Sequence, residues 1–130
     1  MGQTWRWRLY RHLVRDRPGN RQNFGDTFLL PQPIDEDDTN WDLVVPNAMP
    51  PGDVEVGYYF RKSAWGNGYA TEACRRLLRF AFEETAFDEI VATVDEAHEV
   101  SRKVLEKCGL TYQGIRRAYA EDAPFYIITR

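Results

Sequence analysis

Two glycines one residue apart stand where a strand pattern gives way to a helix pattern. They are Gly66 and Gly68, in the segment WGNGYA at positions 65–70. A glycine-bearing loop that opens a helix presents unpaired backbone N–H groups and the positive end of the helix dipole, and both attract phosphate. The segment therefore predicts a site for a diphosphate-bearing cofactor. Taken alone, the loop is equally compatible with a plain tight turn before a core helix.

Two other glycine-rich phosphate motifs do not fit this chain. The spacing lacks the GxxxxGK[ST] pattern of a nucleoside-triphosphate loop. A dinucleotide fold would need GxGxxG directly after an early strand, and no such segment occurs.

The elements on either side of the loop are defined by their apolar periods. Over 54–60, VEVGYYF, apolar residues alternate as in a strand, with Glu55 and Gly57 on the same face. A glycine inside a strand predicts a bulge or a close backbone approach at Gly57. From Ala70 to Phe82 the apolar residues recur at helical spacing. The sequence therefore predicts a strand, a loop and a helix in immediate succession.

Six further segments carry secondary-structure patterns. They are strands at Thr4–Val14, Phe24–Leu30, Glu89–Asp95, Thr111–Arg116 and Phe125–Thr129, and a helix at His98–Cys108 with Val100, Val104, Leu105 and Cys108 on one apolar face. The first segment also fits a helix, but its tryptophans favour a strand, which forms a hairpin with the second. Gly109 predicts the left-handed end of the second helix, and the hairpin between the last two strands is placed at Ala118–Pro124.

The helix between 54–60 and Glu89–Asp95 is a crossover connection, so these two strands are predicted to be parallel. The proline-rich segment 31–52 predicts a long irregular loop that contains the acidic run Asp35–Asp38. Within it, WDLVV at 41–45 suggests a short strand.

Composition bounds the class of protein. A chain of 130 residues with 43% hydrophobic content sustains one packed core, so the sequence predicts a single domain. The net charge of -3 gives no field that favours nucleic acid or an anionic membrane. No apolar run has transmembrane length, and the first residues are not a secretory signal. Cys74 and Cys108 fall on apolar helical faces, which predicts reduced core thiols in a cytoplasmic protein and no metal site.

Two stretches together resemble a known family. VEVGYYFRKSAWGNGYATEA at 54–73 and SRKVLEKCGL at 101–110 are similar to the GNAT superfamily of acyl-CoA-dependent N-acetyltransferases, and most to its ribosomal-protein N-terminal acetyltransferase branch. The resemblance covers Asp53 to about Arg117. In the family's loop pattern, [QR]-x-x-G-x-[GA], Gly68 and Ala70 match the last two positions, and Trp65 stands where the superfamily has Gln or Arg.

The resemblance implies a fold and its divisions. The fold is an α/β (α+β) acyl-CoA N-acyltransferase fold, with a mixed, mostly antiparallel sheet and a central parallel strand pair flanked by helices. The single domain 1–130 would divide into an N-terminal hairpin, a proline-rich acidic loop, a coenzyme-binding core and a C-terminal hairpin, at 1–30, 31–53, 54–117 and 118–130. Family members usually begin with another strand and one or two helices, for which there is no room before Trp5. The expectation is an N-terminally shortened chain, which is a naturally short form, a fragment or a protein that borrows this wall from a partner. A homodimer is the preferred assembly, because a chain without part of its cleft wall would expose apolar surface.

The resemblance also implies acetyl-CoA as cosubstrate. The diphosphate would lie on the loop amides, the pantetheine arm would pair with the central strand, and a strand N–H would hold the thioester carbonyl. The coenzyme contacts assigned in this way are Tyr59, Phe60, Arg61, Trp65, Gly66, Asn67, Gly68, Tyr69, Ala70, Thr71, His98, Ser101 and Lys103.

Catalytic candidates follow from the needs of amine attack on a thioester. Ser101 matches the serine of the branch's N-x-x-S pattern and would assist the leaving thiolate. His98 replaces the asparagine of that pattern and would either bond pantetheine or act as the base. Leu105 stands where many superfamily members have a tyrosine that serves as the acid. A serine that caps its own helix and a solvated histidine are the alternatives. Glu55 and Glu121 are candidates for taking the amine proton. The alternatives are that both are exposed glutamates without a catalytic role and that bulk water takes the proton.

The function implied is transfer of an acetyl group to a primary amine, on a protein N-terminus or a small molecule. The acidic run Asp35–Asp38 would favour a cationic acceptor. A catalytically silent coenzyme A-binding domain and a structural or interaction module of the same fold are the alternatives. Neither nucleic acid nor membrane is expected as a partner.

Overall fold

The computed structural model of this chain describes residues 10–15, 23–44, 50–62, 65–66 and 68–130. Its elements in chain order are β1 (Tyr10–Arg15), β2 (Asn23–Pro31), β3 (Val54–Phe60), α1 (Tyr69–Glu84), β4 (Glu89–Thr93), α2 (Glu99–Lys107), β5 (Thr111–Ala118) and β6 (Glu121–Thr129), with one 3-10 turn at Trp41–Leu43. The tryptophans of the predicted first strand and most of the turn that follows it lie outside the described residues.

The strands form one sheet in the order β1-β2-β3-β4-β6-β5. All neighbours are antiparallel except β3 and β4, which α1 joins as a crossover. The expected mixed sheet with a central parallel pair is therefore confirmed.

The parallel pair is short. β3 is paired with β2 over its whole length, from Val54 to Phe60, but within the described strands its register with β4 holds at one position, Glu55 beside Val91. Beyond Glu55 the two strands diverge. The sheet therefore opens at its centre, and the open side of β3 is an unpaired strand edge.

The core lies between the sheet and α1. Because Cys74, Leu77 and Ala81 recur at helical spacing, they project from one side of α1, where each is at most 5% exposed. They pack in the same cluster as Val56 of β3 and Tyr126 of β6. Cys74 and the partly buried Cys108 are free thiols, as the sequence predicts.

Two glycines have local reasons in the structure. At Gly57 an added Cβ would lie 2.2 Å from the Phe28 ring, so the close approach is made by a side chain and not by backbone. β2 and β3 stay in register, so the bulge alternative is wrong. Gly109 has φ +95, and the N–H groups of Gly109 and Leu110 donate to the carbonyls of Glu106 and Leu105. These two hydrogen bonds end α2 as expected.

Three local predictions are wrong. The predicted strand at 41–45 is instead a 3-10 turn over Trp41–Leu43, because the Asn40 side chain accepts from the Asp42 N–H and caps it; Val45 lies outside the described residues. Val100, predicted on the buried face of α2, is 67% exposed, because only Val104 and Leu105 of that apolar stripe are buried. The final hairpin turn is only Tyr119-Ala120, because β5 extends to Ala118 and β6 begins at Glu121.

Arginines satisfy the carbonyls at both helix C-termini. The Arg130 guanidinium donates to the carbonyl of Phe82 and, at 2.8 Å each, to those of Thr85 and Phe87, where α1 ends. Arg75 donates to the Lys107 carbonyl at 3.0 Å, at the end of α2. Positive charge at a helix C-terminus also complements the helix dipole.

We expect Arg130→Met to lower the free energy of unfolding by about 1–2 kcal/mol, because it removes charged donors from three carbonyls in a half-exposed setting. Arg79→Met, on the exposed side of the same helix, is the matched control and should change stability by no more than about 0.5 kcal/mol. Urea unfolding followed by circular dichroism measures both. Equal stability of the two variants would contradict the capping role.

Candidate active site

A cavity of about 350 Å³ occupies the gap between β3 and β4. Its walls are the divergent strands, the turn after β4, the start of α2 and the β5–β6 turn. The lining residues are Phe28, Glu55, Val56, Gly57, Tyr58, Ala92, Thr93, Val94, Asp95, His98, Ser101, Leu105 and Tyr119. Three of the four predicted catalytic candidates, Glu55, His98 and Ser101, therefore meet at one place.

Glu55 is a buried carboxylate at the inner end of this cavity. It is 4% exposed, so the expectation of an exposed strand glutamate is wrong. Gln32 Nε2 donates to Glu55 Oε2 at 3.2 Å, and the Tyr119 hydroxyl donates to Oε1. Burial raises the pKa of Glu55 from 4.5 to about 7, although the hydrogen bond from Gln32 lowers it. A carboxyl group in this range exchanges protons near neutral pH.

The start of α2 forms the opposite wall. Ser101 is the third residue of the helix and His98 is at the N-cap position, without a side-chain cap bond, so the interpretation of Ser101 as a helix cap is wrong. Ser101 Oγ lies 3.4 Å from His98 Nδ1. The Tyr58 hydroxyl donates to the Ser101 carbonyl at 2.8 Å and holds this turn against β3. Leu105 lines the cavity where the resembled superfamily has tyrosine.

The backbone of β3 also faces the gap. The Gln32 N–H donates to the Asp53 carbonyl. Since alternate residues of an antiparallel strand bond to the same neighbour, every second residue from Asp53 to Tyr59 directs its backbone groups to β2. The intervening residues, including Tyr58 and Phe60, then direct their backbone groups to the β4 side of the strand, and of these Val56 and Tyr58 line the cavity. The predicted carbonyl donor near Phe60 agrees with this register, whereas the N–H of Tyr59 points to β2.

The glycine loop leads from the end of β3 into α1. Gly66 and Gly68 have φ +82 and +75, and a Cβ added at either would meet no atom within 4 Å. Gly68 is the N-cap of α1, so the N–H groups of Ala70 and Thr71 precede its first complete turn. The Trp65 indole donates to the Phe60 carbonyl at 3.0 Å. This bond ties the loop to β3 and gives a structural reason for tryptophan there; Asn67 lies outside the described residues.

Several predicted site residues lie outside the cavity lining. Glu121 begins β6 on an exposed position opposite Ala118, directly after the β5–β6 turn, and its catalytic role stays a prediction. Arg61 and Tyr59 are exposed at the end of β3, and Lys103 lies 3.9 Å from Glu99 on the exposed side of α2. Their contacts with a coenzyme stay predictions, as does that of Tyr69 at the start of α1.

Two residues of the site were missed by the sequence analysis, Gln32 and Tyr119. Gln32 lies between two prolines, which favour extended backbone, but nothing in that pattern places it beside Glu55. Tyr119 occupies a turn that glycine or asparagine usually fills, and its contact with Glu55 spans 64 positions of the chain. The pairing of β5 with β6 and the hydrogen bonds of the turn to Pro33 and Ile34 bring it there.

The described part of the chain holds no group of three or more histidine, cysteine or acidic side chains suited to a metal ion. None of its helices is long and apolar enough to cross a membrane.

Comparison with known proteins identifies the family. The acetyltransferase (GNAT) domain family matches residues 4–111. An uncharacterized Bacillus subtilis protein is 37% identical over 73 residues, which are 56% of this chain and 42% of that protein. The FsC-acetyl coenzyme A-N(2)-transacetylase of Aspergillus fumigatus is 38% identical over 58 residues, which are 45% of this chain and 25% of that protein. The solved ribosomal-protein-S5-alanine acetyltransferase of Vibrio fischeri has a TM-score of 0.70 at 18% identity, over 93% of this chain and 61% of that one.

This chain belongs to the GNAT acetyltransferase family, since the family match extends over most of its length. The predicted family and fold are confirmed, and the ribosomal-protein branch is represented among the similar structures. The chain spans less than half the length of the two sequence relatives described above.

The buried carboxyl predicts a pH dependence of stability. Since the pKa of Glu55 is raised in the folded protein, the folded state binds more protons than the unfolded state between pH 4.5 and about 7. The contribution of Glu55 to the free energy of unfolding is therefore fully present below pH 4.5 and is lost as the pH rises to about 7. Relative to Glu55→Gln, the free energy of unfolding of the wild type should fall by up to about 3 kcal/mol across this interval.

Urea unfolding at several pH values measures the difference. Glu89→Gln, an exposed strand glutamate, is the matched control and should follow the wild type at every pH. A constant difference between wild type and Glu55→Gln would show that Glu55 titrates normally.

Proposed function

We propose that this chain transfers an acetyl group from acetyl-CoA to a primary amine by direct attack within a ternary complex. The observation that carries the proposal is the cavity between β3 and β4, which combines a buried carboxyl group with an unpaired strand edge. A thioester laid along that edge would have its carbonyl beside backbone N–H groups and its sulfur near α2. An amine entering beside Glu55 would then face the thioester carbon.

The coenzyme half of the site rests on α1 and β3. Amides at the start of α1 and the helix dipole favour a diphosphate there, and the space beside Gly66 and Gly68 is open. The pantetheine arm would bond with the gap-facing backbone of β3 as an added strand. Trp65 joins these two parts, because its indole bond fixes the loop to the end of β3.

Each step of the reaction has a group suited to it. The amine proton passes to Glu55, whose pKa of about 7 suits proton transfer near neutral pH. The nitrogen forms a bond to the thioester carbon, and the resulting oxyanion is stabilised by an N–H of β3, at Phe60 in the observed register. The C–S bond then breaks, and the thiolate receives a proton from Ser101, which is reprotonated by solvent or by His98.

The proposed acceptor is a primary amine, on a small molecule or a protein N-terminus. The acidic run Asp35–Asp38 is exposed, and Asp35 is 2.6 Å from Arg117, so part of its charge is already paired. A preference for cationic acceptors stays a prediction, as do the cytoplasmic location, the homodimer and the absence of nucleic-acid or membrane partners.

Calorimetry with acetyl-CoA tests the coenzyme site. We expect the wild type to bind and Gly68→Trp to lose the binding heat, because an indole would fill the space in front of the first amides of α1. Gly52→Trp is the matched control: Gly52 also has positive φ and open surroundings but lies in another loop, so binding should persist. Absence of binding by the wild type would favour the structural or interaction module.

Acetyl transfer to a panel of primary amines, followed by mass spectrometry, separates an enzyme from a silent coenzyme-binding domain. We expect transfer by the wild type and a fall in kcat/KM of about 100- to 10,000-fold in Glu55→Gln, which cannot accept a proton. Glu89→Gln should retain wild-type kinetics. Binding of acetyl-CoA without transfer to any amine would favour the silent domain, whereas normal transfer by Glu55→Gln would remove Glu55 from the mechanism.

A further inference from the structure

Two segments from distant parts of the sequence each place one polar group on Glu55. Gln32, directly after β2, donates to one carboxylate oxygen, and Tyr119, in the β5–β6 turn, donates to the other. Gln32 Nε2 also lies 3.4 Å from Thr93 Oγ1 of β4, which fixes the plane of its amide. Both oxygens of the buried carboxylate are therefore held in a defined orientation toward the cavity.

The two segments are bonded to each other as well. The N–H groups of Tyr119 and Ala120 donate to the carbonyls of Pro33 and Ile34 at 3.2 and 2.9 Å. The Gln32 N–H donates to the Asp53 carbonyl at 3.0 Å, beside the start of β3. Gln32 and Tyr119 thus belong to one hydrogen-bonded unit attached to the strand that carries Glu55.

The turn that presents Tyr119 is locally strained. Tyr119 and Ala120 have φ of 54° and 60°, and a two-residue turn with both residues in this region normally uses asparagine and glycine. Residues held in such conformations persist only where the surroundings determine them, and they cluster at functional sites. Here the bonds to Pro33 and Ile34 hold the turn, and its result is to bring the phenol to Glu55.

We propose that Tyr119 and Gln32 are positioning residues that orient the Glu55 carboxylate and favour its charged form, so that it accepts the proton of the incoming amine. The role in proton transfer rests on the proposed acetyltransferase function; the control of Glu55 by its two donors does not. Each donor stabilises the carboxylate and opposes the effect of burial.

Other titratable groups line the same cavity as Glu55. They are Tyr58 of β3, and Asp95 and His98 between β4 and α2. β2 contributes the uncharged Phe28, and Arg116 of β5 is paired with Asp53 next to β3. None of these has a hydrogen bond to Glu55 among the described contacts, so the variants of Gln32 and Tyr119 probe its direct donors.

Carbon-13 NMR of glutamate carboxyl groups tests the inference without any reaction. The Glu55 signal is assigned by its loss in Glu55→Gln and titrated in the wild type, Tyr119→Phe and Gln32→Met. We expect each single variant to raise the pKa of Glu55 by about one unit, because each removes one donor to the charged form. Ala120→Gly, which relaxes the turn and keeps the phenol, is the matched control and should leave the titration unchanged.

The pH profile of kcat/KM connects this effect to the reaction. Activity requires charged Glu55, so a higher pKa should move the acidic limb of the Tyr119→Phe profile upward by the same shift, with recovery to within about threefold of wild type on the alkaline plateau. In the Glu55→Gln background, Tyr119→Phe should have no further effect. A structural role alone would lower the whole profile without moving its limb.

The outcomes separate the two proposals. Unchanged Glu55 titration in both Tyr119→Phe and Gln32→Met would overturn the positioning role, whether or not the chain transfers acetyl groups. A shifted titration in a chain that acetylates no amine would uphold the control of Glu55 and overturn the proposed function.

Discussion

The structure depends on the early divergence of β3 from β4. A parallel pair that continued along both strands would bond the backbone groups of β3 and close the sheet. Instead pairing stops at Glu55 and Val91, and one edge of β3 is left unpaired while the other stays bonded to β2. The divergence creates the cavity and the unpaired edge together, so both features of the candidate site have a single structural cause.

A buried carboxyl group is tolerated at this point because donors surround it. Desolvation disfavours the charged form, and an isolated buried glutamate would stay protonated through neutral pH. Burial raises the pKa of Glu55 to about 7 although the hydrogen bond from Gln32 lowers it, so the group is able to change charge under ordinary conditions. The Tyr119 hydroxyl is a second donor to the carboxylate. The same burial that weakens folding above this pH gives the group its capacity to accept a proton.

The negative and positive ends of the helix dipoles have different surroundings. Arg130 and Arg75 bind carbonyls at the C-termini of α1 and α2, so these ends are closed by the chain itself. The N-terminus of α1 begins at a left-handed glycine with open space beside it. A helix whose negative end is satisfied and whose positive end faces open space is suited to an anion at that positive end.

The sequence alone determined the elements whose patterns are local. Strand alternation before the glycines, the apolar stripe of α1 and the left-handed end of α2 at Gly109 are set by residues a few positions apart, and all are present. The parallel pairing of β3 with β4 followed from the order strand, helix, strand along the chain. The local pattern failed at 41–45 because a short-range hydrogen bond from the Asp42 N–H to the Asn40 side chain forms a 3-10 turn instead of a strand. It failed at Tyr119-Ala120 because a turn without its usual residues is held by the distant carbonyls of Pro33 and Ile34.

The site was only half predictable for the same reason. Ser101, His98 and Glu55 carry recognisable types in recognisable positions, but whether Glu55 faced solvent or the interior depended on segments far along the chain. Its two donors lie 23 and 64 residues away, and the turn that carries Tyr119 is held by carbonyls of Pro33 and Ile34. The sequence by itself determined which residues are able to transfer protons or bind an anion. Only the tertiary structure decided which carboxyl group is desolvated and therefore titrates near neutral pH, because desolvation depends on every segment that packs around it.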